Sequence, residues 1–241
     1  DYIGGLIGEN ANGIIIGINM KDITITGSNQ VGGLIGQIKE QGTVIGVNLD
    51  NIEVKGSQYY TGGLIGYIPK KSIIKEVAIY GNVTGQYYTG GLVGQIDSDV
   101  VEVSGALVNA NVTGIQNVGG IVGSKYGSNA TLNAIMESGT ITGTSSQIGK
   151  VIGYLSNPNK GYIYASDQVV VNGSGGDNGI SYELDKHVMG LYDHVLDTYI
   201  GGDNDSSGYY FDYENDSSTK IVVKSVEKEP FKFNMQGEGT E

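Results

Sequence analysis

Apolar and polar residues alternate in short runs over the first 173 residues. Within residues 34–38, Leu34, Gly36 and Ile38 fall on one side. Within 44–49, Ile45, Val47 and Leu49 do the same, and within 52–55, Ile52 and Val54 oppose Glu53 and Lys55. Period-two alternation rich in β-branched residues predicts strands with one buried face. The preceding stretch repeats the pattern, with Ile16, Ile18 and Met20, then Ile23 and Ile25 against Thr24 and Thr26.

The pattern is periodic over a longer distance. Gly62-Gly63-Leu64-Ile65-Gly66 recurs as Gly4-Gly5-Leu6-Ile7-Gly8, Gly32-Gly33-Leu34-Ile35-Gly36, Gly90-Gly91-Leu92-Val93-Gly94 and Gly119-Gly120-Ile121-Val122-Gly123. A degenerate copy stands at Gly149-Lys150-Val151-Ile152-Gly153, and the steps are 28, 30, 28, 29 and 30 residues. A second phrase, a β-branched residue two before Gly, occurs at Ile25, Val54, Val83, Val112, Ile141 and Val171, with steps of 29, 29, 29, 29 and 30. Two phrases held to one period predict stacked repeats.

The Gly-Gly-Leu-Ile-Gly phrase, with Asn82 to Gly85 and Asn111 to Gly114 as its Asn-Val-Thr-Gly partner, resembles the GLUG motif. The resemblance covers residues 4–173 and implies a repeat module of the kind arrayed in large bacterial surface proteins, including adhesins and some immunoglobulin A metallopeptidases. It implies no activity by itself. No His-Glu-x-x-His is present, so the metallopeptidase chemistry does not carry over.

Three strand-like pieces per ~29 residues predict an all-β chain: a three-sided parallel β-solenoid of about six rungs, with a small α+β cap at its C-terminal end. Leu6, Leu34, Leu64, Leu92 and Ile121 would stack as one apolar column. The Gly pair would occupy a corner, through positive φ or close backbone approach. At ~4.8 Å per rung, six rungs rise roughly 29 Å. Propeller blades need longer repeats, leucine-rich repeats a different Leu and Asn spacing, and a sandwich needs no constant period.

Composition divides the chain. Residues 1–173 carry 12 acidic and 9 Lys residues, whereas 174–241 carry 14 and 5. The expected domains are therefore a 1–173 solenoid and an acidic 174–241 region. In the latter, Leu184, Val188, Leu191, Val195 and Tyr199 have helical spacing, which predicts a helix over about 181–200. Residues 209–213 and 220–226 predict a β-hairpin around 214–218. The cap would cover the last rung. The first rung would remain open, and the start at Asp1, three residues before a repeat phrase, predicts a piece of a longer protein.

With 241 residues, no Cys, no Arg, no Trp and a net charge of −12, neither disulfides, thiolate metal sites nor nucleic-acid binding is expected. No apolar run is long enough to span a membrane as a helix. Asp203-Asn204-Asp205-Ser206-Ser207-Gly208 with Glu214 resembles an EF-hand-type calcium loop. That resemblance implies Asp203, Asp205, Ser207, the Tyr209 carbonyl and Glu214 as ligands of a calcium ion. Gly175-Gly176-Asp177 is a weaker calcium-type fragment that reads as a hinge, and His187 and His194 would share a helix face as ordinary helix residues. Six N-glycosylation-type sequons begin at Asn82, Asn111, Asn129, Asn172, Asn204 and Asn215.

Tyr59-Tyr60 and Tyr87-Tyr88 precede successive Gly pairs by matching intervals, so they would stack on one edge. Such a strip packs neighbouring turns, and it also offers sugar rings or a protein partner flat apolar faces with polar tips. Within the solenoid, close paired carboxylates for glycoside hydrolysis are confined to Asp97 and Asp99 in a turn, so catalysis is not expected. The expectation is a non-catalytic, secreted or surface-displayed structural and adhesive module. The alternatives are a carbohydrate-binding module using the Tyr strip, a filament subunit stacking through its uncapped first rung and, ranked below these, a polysaccharide-degrading β-helix enzyme.

Overall fold

A computed structural model describes residues 1–158, 160–173, 183–184, 209–215 and 220–225, with only the backbone described at 183, 184 and 210. The described chain is all β: a parallel solenoid of six turns. Its first face pairs Ile3–Gly4, Val31–Gly32, Tyr59–Gly62, Tyr87–Gly90, Gln116–Gly119 and Ile148–Gly149. Its second pairs Ile7–Asn10, Ile35–Ile38, Ile65–Ile68, Val93–Ile96, Val122–Lys125 and Ile152–Leu155. The third is longer: Ile14–Lys21 with Thr24–Gly27, then Gly42–Gly56, Ser72–Thr84, Val101–Gly114, Thr131–Gly143, and Ile163–Ser166 with Val169–Gly173.

Stacking in register places like on like. Leu34, Leu64, Leu92, Ile121 and Val151 are fully buried. Their backbone forms a ladder through the turn, with Leu34 N–H donating to the Leu64 carbonyl at 2.9 Å and Leu64 N–H to that of Leu92 at 2.9 Å. Leu6 belongs to this column but is 48% exposed, because no described rung covers it.

The Gly pair lies in the turn between the first and second faces, and close approach is what demands it. A Cβ on Gly33 would collide with the Gly63 carbonyl, and one on Gly63 with that of Gly91. Positive φ falls two residues before the pair, on Gln30, Tyr60, Tyr88, Asn117 and Gln147, with φ between 49° and 64°.

The third face corrects the expected alternation. Its strands bend at Gly17, Gly46, Glu76 and Gly105, where φ is positive. The bend shifts the inward phase by one residue: Val44, Val47 and Leu49 point in, while Ile45 is only half-buried and Ile16 is 51% exposed. Pieces 44–49 and 52–55 are thus one strand, bulged where Ile79 pairs with Leu49 and Gly81 with Ile52.

The hairpin forms as expected, with Tyr209–Tyr213 antiparallel to Ile221–Ser225. Its position is not the expected one. It packs on the flank of the third face, where Phe211, Ile221 and Val223 cover Ala78, Leu107 and Ile135. Asn48 clamps it at two points: Nδ2 donates to the Val223 carbonyl at 2.6 Å, and Val223 N–H donates to Oδ1 at 2.7 Å. Tyr209 lies over Gly17 and Gly46, where a Cβ would overlap its side chain. No helix occurs among the described residues. Where a helix over 181–200 was expected, Glu183–Leu184 is a strand that pairs in parallel with Ala165 and Ser166. The open edge of the last rung supplies backbone partners there, and these outweigh the helical spacing of the side chains. The rest of that segment, with His187 and His194, lies outside the described residues.

Candidate functional site: a tyrosine face beside Asp97

In five turns, the residue with positive φ is followed seven positions later by an outward-facing residue of the second face. The pairs are Gln30 and Gln37, Tyr60 and Tyr67, Tyr88 and Gln95, Asn117 and Ser124, and Gln147 and Tyr154. A left-handed residue turns its side chain back over the neighbouring face, so Tyr60 stacks on Tyr67 at 4.8 Å between centroids. Tyr60 also stacks on Tyr88 at 5.2 Å, and Tyr59 on Tyr87 at 5.3 Å. Positive φ at a bulky residue such as Tyr60 or Tyr88 is strained by about 1–3 kcal/mol. The rung stacking and the ring contacts hold it in place.

The four tyrosines expected to stack do so: Tyr59, Tyr60, Tyr87 and Tyr88 form one aromatic assembly. Their mutual stacking occupies ring faces that a sugar would need, and both faces of Tyr60 are taken. What remains outward is Tyr59, 44% exposed, together with ring edges.

Sequence reasoning missed the other half of the site. Tyr67 Oη donates to Asp97 Oδ2 at 2.5 Å, and Gln95 Nε2 donates to Asp97 Oδ1 at 2.7 Å. Burial, and then the carboxylate accepting its proton, pushes the Tyr67 phenol well above the ordinary tyrosine range. Tyr60 and Tyr88 are raised as well, first by burial and then by neighbouring phenols and Asp97. Tyr126, 37% exposed, follows Asp97 one rung on: Asp97 N–H donates to Ile68 and Tyr126 N–H to Ile96. Tyr126 in turn lies against Tyr154, at 5.3 Å. The usable signal was the seven-residue offset from the left-handed position, which is invisible without the bend it creates.

Lys125 is a second departure from the repeat. It replaces the Ile96 and Leu155 of adjoining rungs and is fully buried. Its Nζ donates to the Gly127 carbonyl at 2.7 Å and to that of Pro158 at 3.2 Å. Burial lowers its pKa, and the nearby Asp99 carboxylate opposes that shift.

Of the expected calcium ligands, Asp203, Asp205 and Ser207 lie outside the described residues. Tyr209 and Glu214 bracket an extended strand, which sets their Cα atoms about 16 Å apart. Glu214 closes the hairpin: its N–H donates to the Lys220 carbonyl at 2.8 Å, and its carboxylate lies 3.4 Å from Lys220 Nζ.

No protein-family model matches this chain, and no curated protein and no solved structure matches it.

Proposed function

We propose that this chain is a non-catalytic structural and adhesive module that works outside the cell as a stiff repeat element of a larger surface protein. The observation that carries the reading is the stacking of six rungs around one apolar core, in register apart from local bulges in the third face, with backbone hydrogen bonds continuing through the turns. Stretching such a rod along its axis loads many parallel hydrogen bonds at once, while the outer wall remains free to vary for contact. The resemblance to GLUG arrays is consistent with this role. Force–extension measurement on a tandem fusion tests it: cooperative high-force rupture supports a stalk, whereas gradual low-force peeling of rungs would sink the idea.

A second reading is self-assembly through the first rung. It is favoured by the exposure there of Leu6, an inner-column residue, at 48%. Light scattering over a wide concentration range decides it, because a constant monomer mass removes the reading.

A further inference from the structure

The second glycine of each Gly pair is required by the rung that follows it. A Cβ on Gly5 would strike the Gly33 carbonyl, and one on Gly33 that of Gly63. The same holds for Gly63 against Gly91, Gly91 against Gly120, and Gly120 against Lys150. The contact repeats at every junction between rungs and always points toward the next one. In the last rung, Lys150 itself stands in the glycine position. Its backbone keeps to the column, because Gly120 N–H donates to the Gly149 carbonyl at 3.3 Å and Ile121 N–H to that of Val151 at 2.9 Å. Lys150 therefore carries the Cβ that the earlier levels have no room for.

The two ends of the solenoid differ accordingly. A rung added after the last in the same register would set its carbonyl against the Lys150 Cβ. Both atoms belong to the main-chain framework, so no rotamer change relieves the overlap. On the third face, Glu183–Leu184 already pairs with Ala165 and Ser166 of the last rung. Val151 is fully buried there, whereas its counterpart Leu6 in the first rung is 48% exposed. A rung placed ahead of the first meets no such block. Its second glycine would lie on the Gly5 carbonyl as Gly5 lies on that of Gly33. A sheet edge without a block of this kind is a template for further strands.

We propose that Lys150 makes the stack one-ended. The last rung refuses a further rung, while the first rung is a docking edge for a rung of the same repeat chemistry, one that carries glycine at the Gly5 position. Lys150 disqualifies this chain's own last rung as that partner, so a second copy does not add head to tail. The occupant is a Gly-Gly-Leu-Ile-Gly type rung presented by a different repeat segment. Copies that associate through their first rungs meet first rung to first rung and stop at two. The inference stands on rung geometry, so it holds or falls separately from the stalk role and from self-assembly.

The test extends the full chain by one repeat. A copy of residues 31–58 fused ahead of Asp1 is in phase, because Val31 pairs with both Ile3 and Thr61. Two versions are compared: the native copy, which brings its Gly pair, and one with Gly33→Lys in the copy alone, which reproduces the arrangement at Lys150. The native copy should raise the thermal midpoint and slow amide exchange over residues 3–10 by about tenfold, whereas the lysine copy should leave both near the wild-type values. Equal protection by the two copies, or protection by neither, overturns the proposal. Sedimentation of the unextended chain is the second check. Monomer or dimer is expected at every concentration, and a ladder of larger species overturns the proposal. A constant monomer retires the self-assembly reading alone.

Discussion

The inner and outer walls of this solenoid follow different rules. Inside, one column reads Leu34, Leu64, Leu92, Ile121 and Val151, with nearly the same residue at each level. Outside, the paired column of the third face reads Asn19, Asn48, Ala78, Leu107, Ile135 and Tyr164. Its chemistry changes from rung to rung according to what covers it. The hairpin binds Asn48 through hydrogen bonds and covers Ala78, Leu107 and Ile135 through apolar contact. The second face behaves likewise, with Gln37, Tyr67, Gln95, Ser124 and Tyr154 in one outward column. Repetition therefore builds the scaffold, and departures from repetition mark where the scaffold meets something else.

The largest break in this comparison comes from the inner wall. Leu64→Ala opens a void between fully covered rungs and should cost about 2–5 kcal/mol in denaturant unfolding. Leu6→Ala removes the same side chain from the half-exposed end of the same column and should cost well under half as much. Equal losses would mean that rung position does not matter.

On the outer wall, Gly46→Ala strikes the hairpin and not the core. The new methyl group would overlap the Tyr209 ring at a residue with φ of 68°, a strain of about 1–3 kcal/mol. Hydrogen exchange should rise sharply over 209–213 and 221–225 while the inner rungs keep their protection. Uniform loss of protection would show that the two walls are not separable.

Alkaline pH should lower stability through the outer wall. Burial raises Tyr67 and Tyr80, and also Tyr60 and Tyr88, above the ordinary value of 10.0. Above about pH 10 the unfolded chain therefore binds fewer protons than the folded one, so stability is full below that pH and declines as pH rises. Tyr67→Phe should flatten part of the decline in thermal midpoint above pH 10. An identical slope in that variant would remove Tyr67 from the account.

The smallest effect has the opposite sign. Thr61 and Thr89 are fully buried, and their hydroxyls lack partners, in a column otherwise filled by Val31, Val118 and Ile148. Thr61→Val or Thr89→Val should stabilise by about 1 kcal/mol, seen as a raised denaturation midpoint at unchanged m-value.

The amino-acid sequence by itself determined the solenoid, its six turns and the stacking of Leu34 on Leu64 on Leu92. Such periodicity has one economical solution: parallel rungs in register. It also determined the hairpin, whose two β-rich runs flank a turn, and the mutual stacking of Tyr59, Tyr60, Tyr87 and Tyr88. Only the tertiary structure decided which way Ile16 and Ile45 face, because a positive φ at Gly17 and Gly46 reverses the alternation locally. Val77-Ala78-Ile79 and Ala106-Leu107-Val108 are buried on both sides, the second side by the hairpin, which an alternation read as one buried face did not indicate. Asp97 joined the tyrosines for the same kind of reason. Its partner Tyr67 is thirty residues away in sequence, and rung stacking brings the two to 2.5 Å. Periodicity specifies which residues repeat, whereas contacts between non-repeating residues depend on bends and turns that only the folded chain defines.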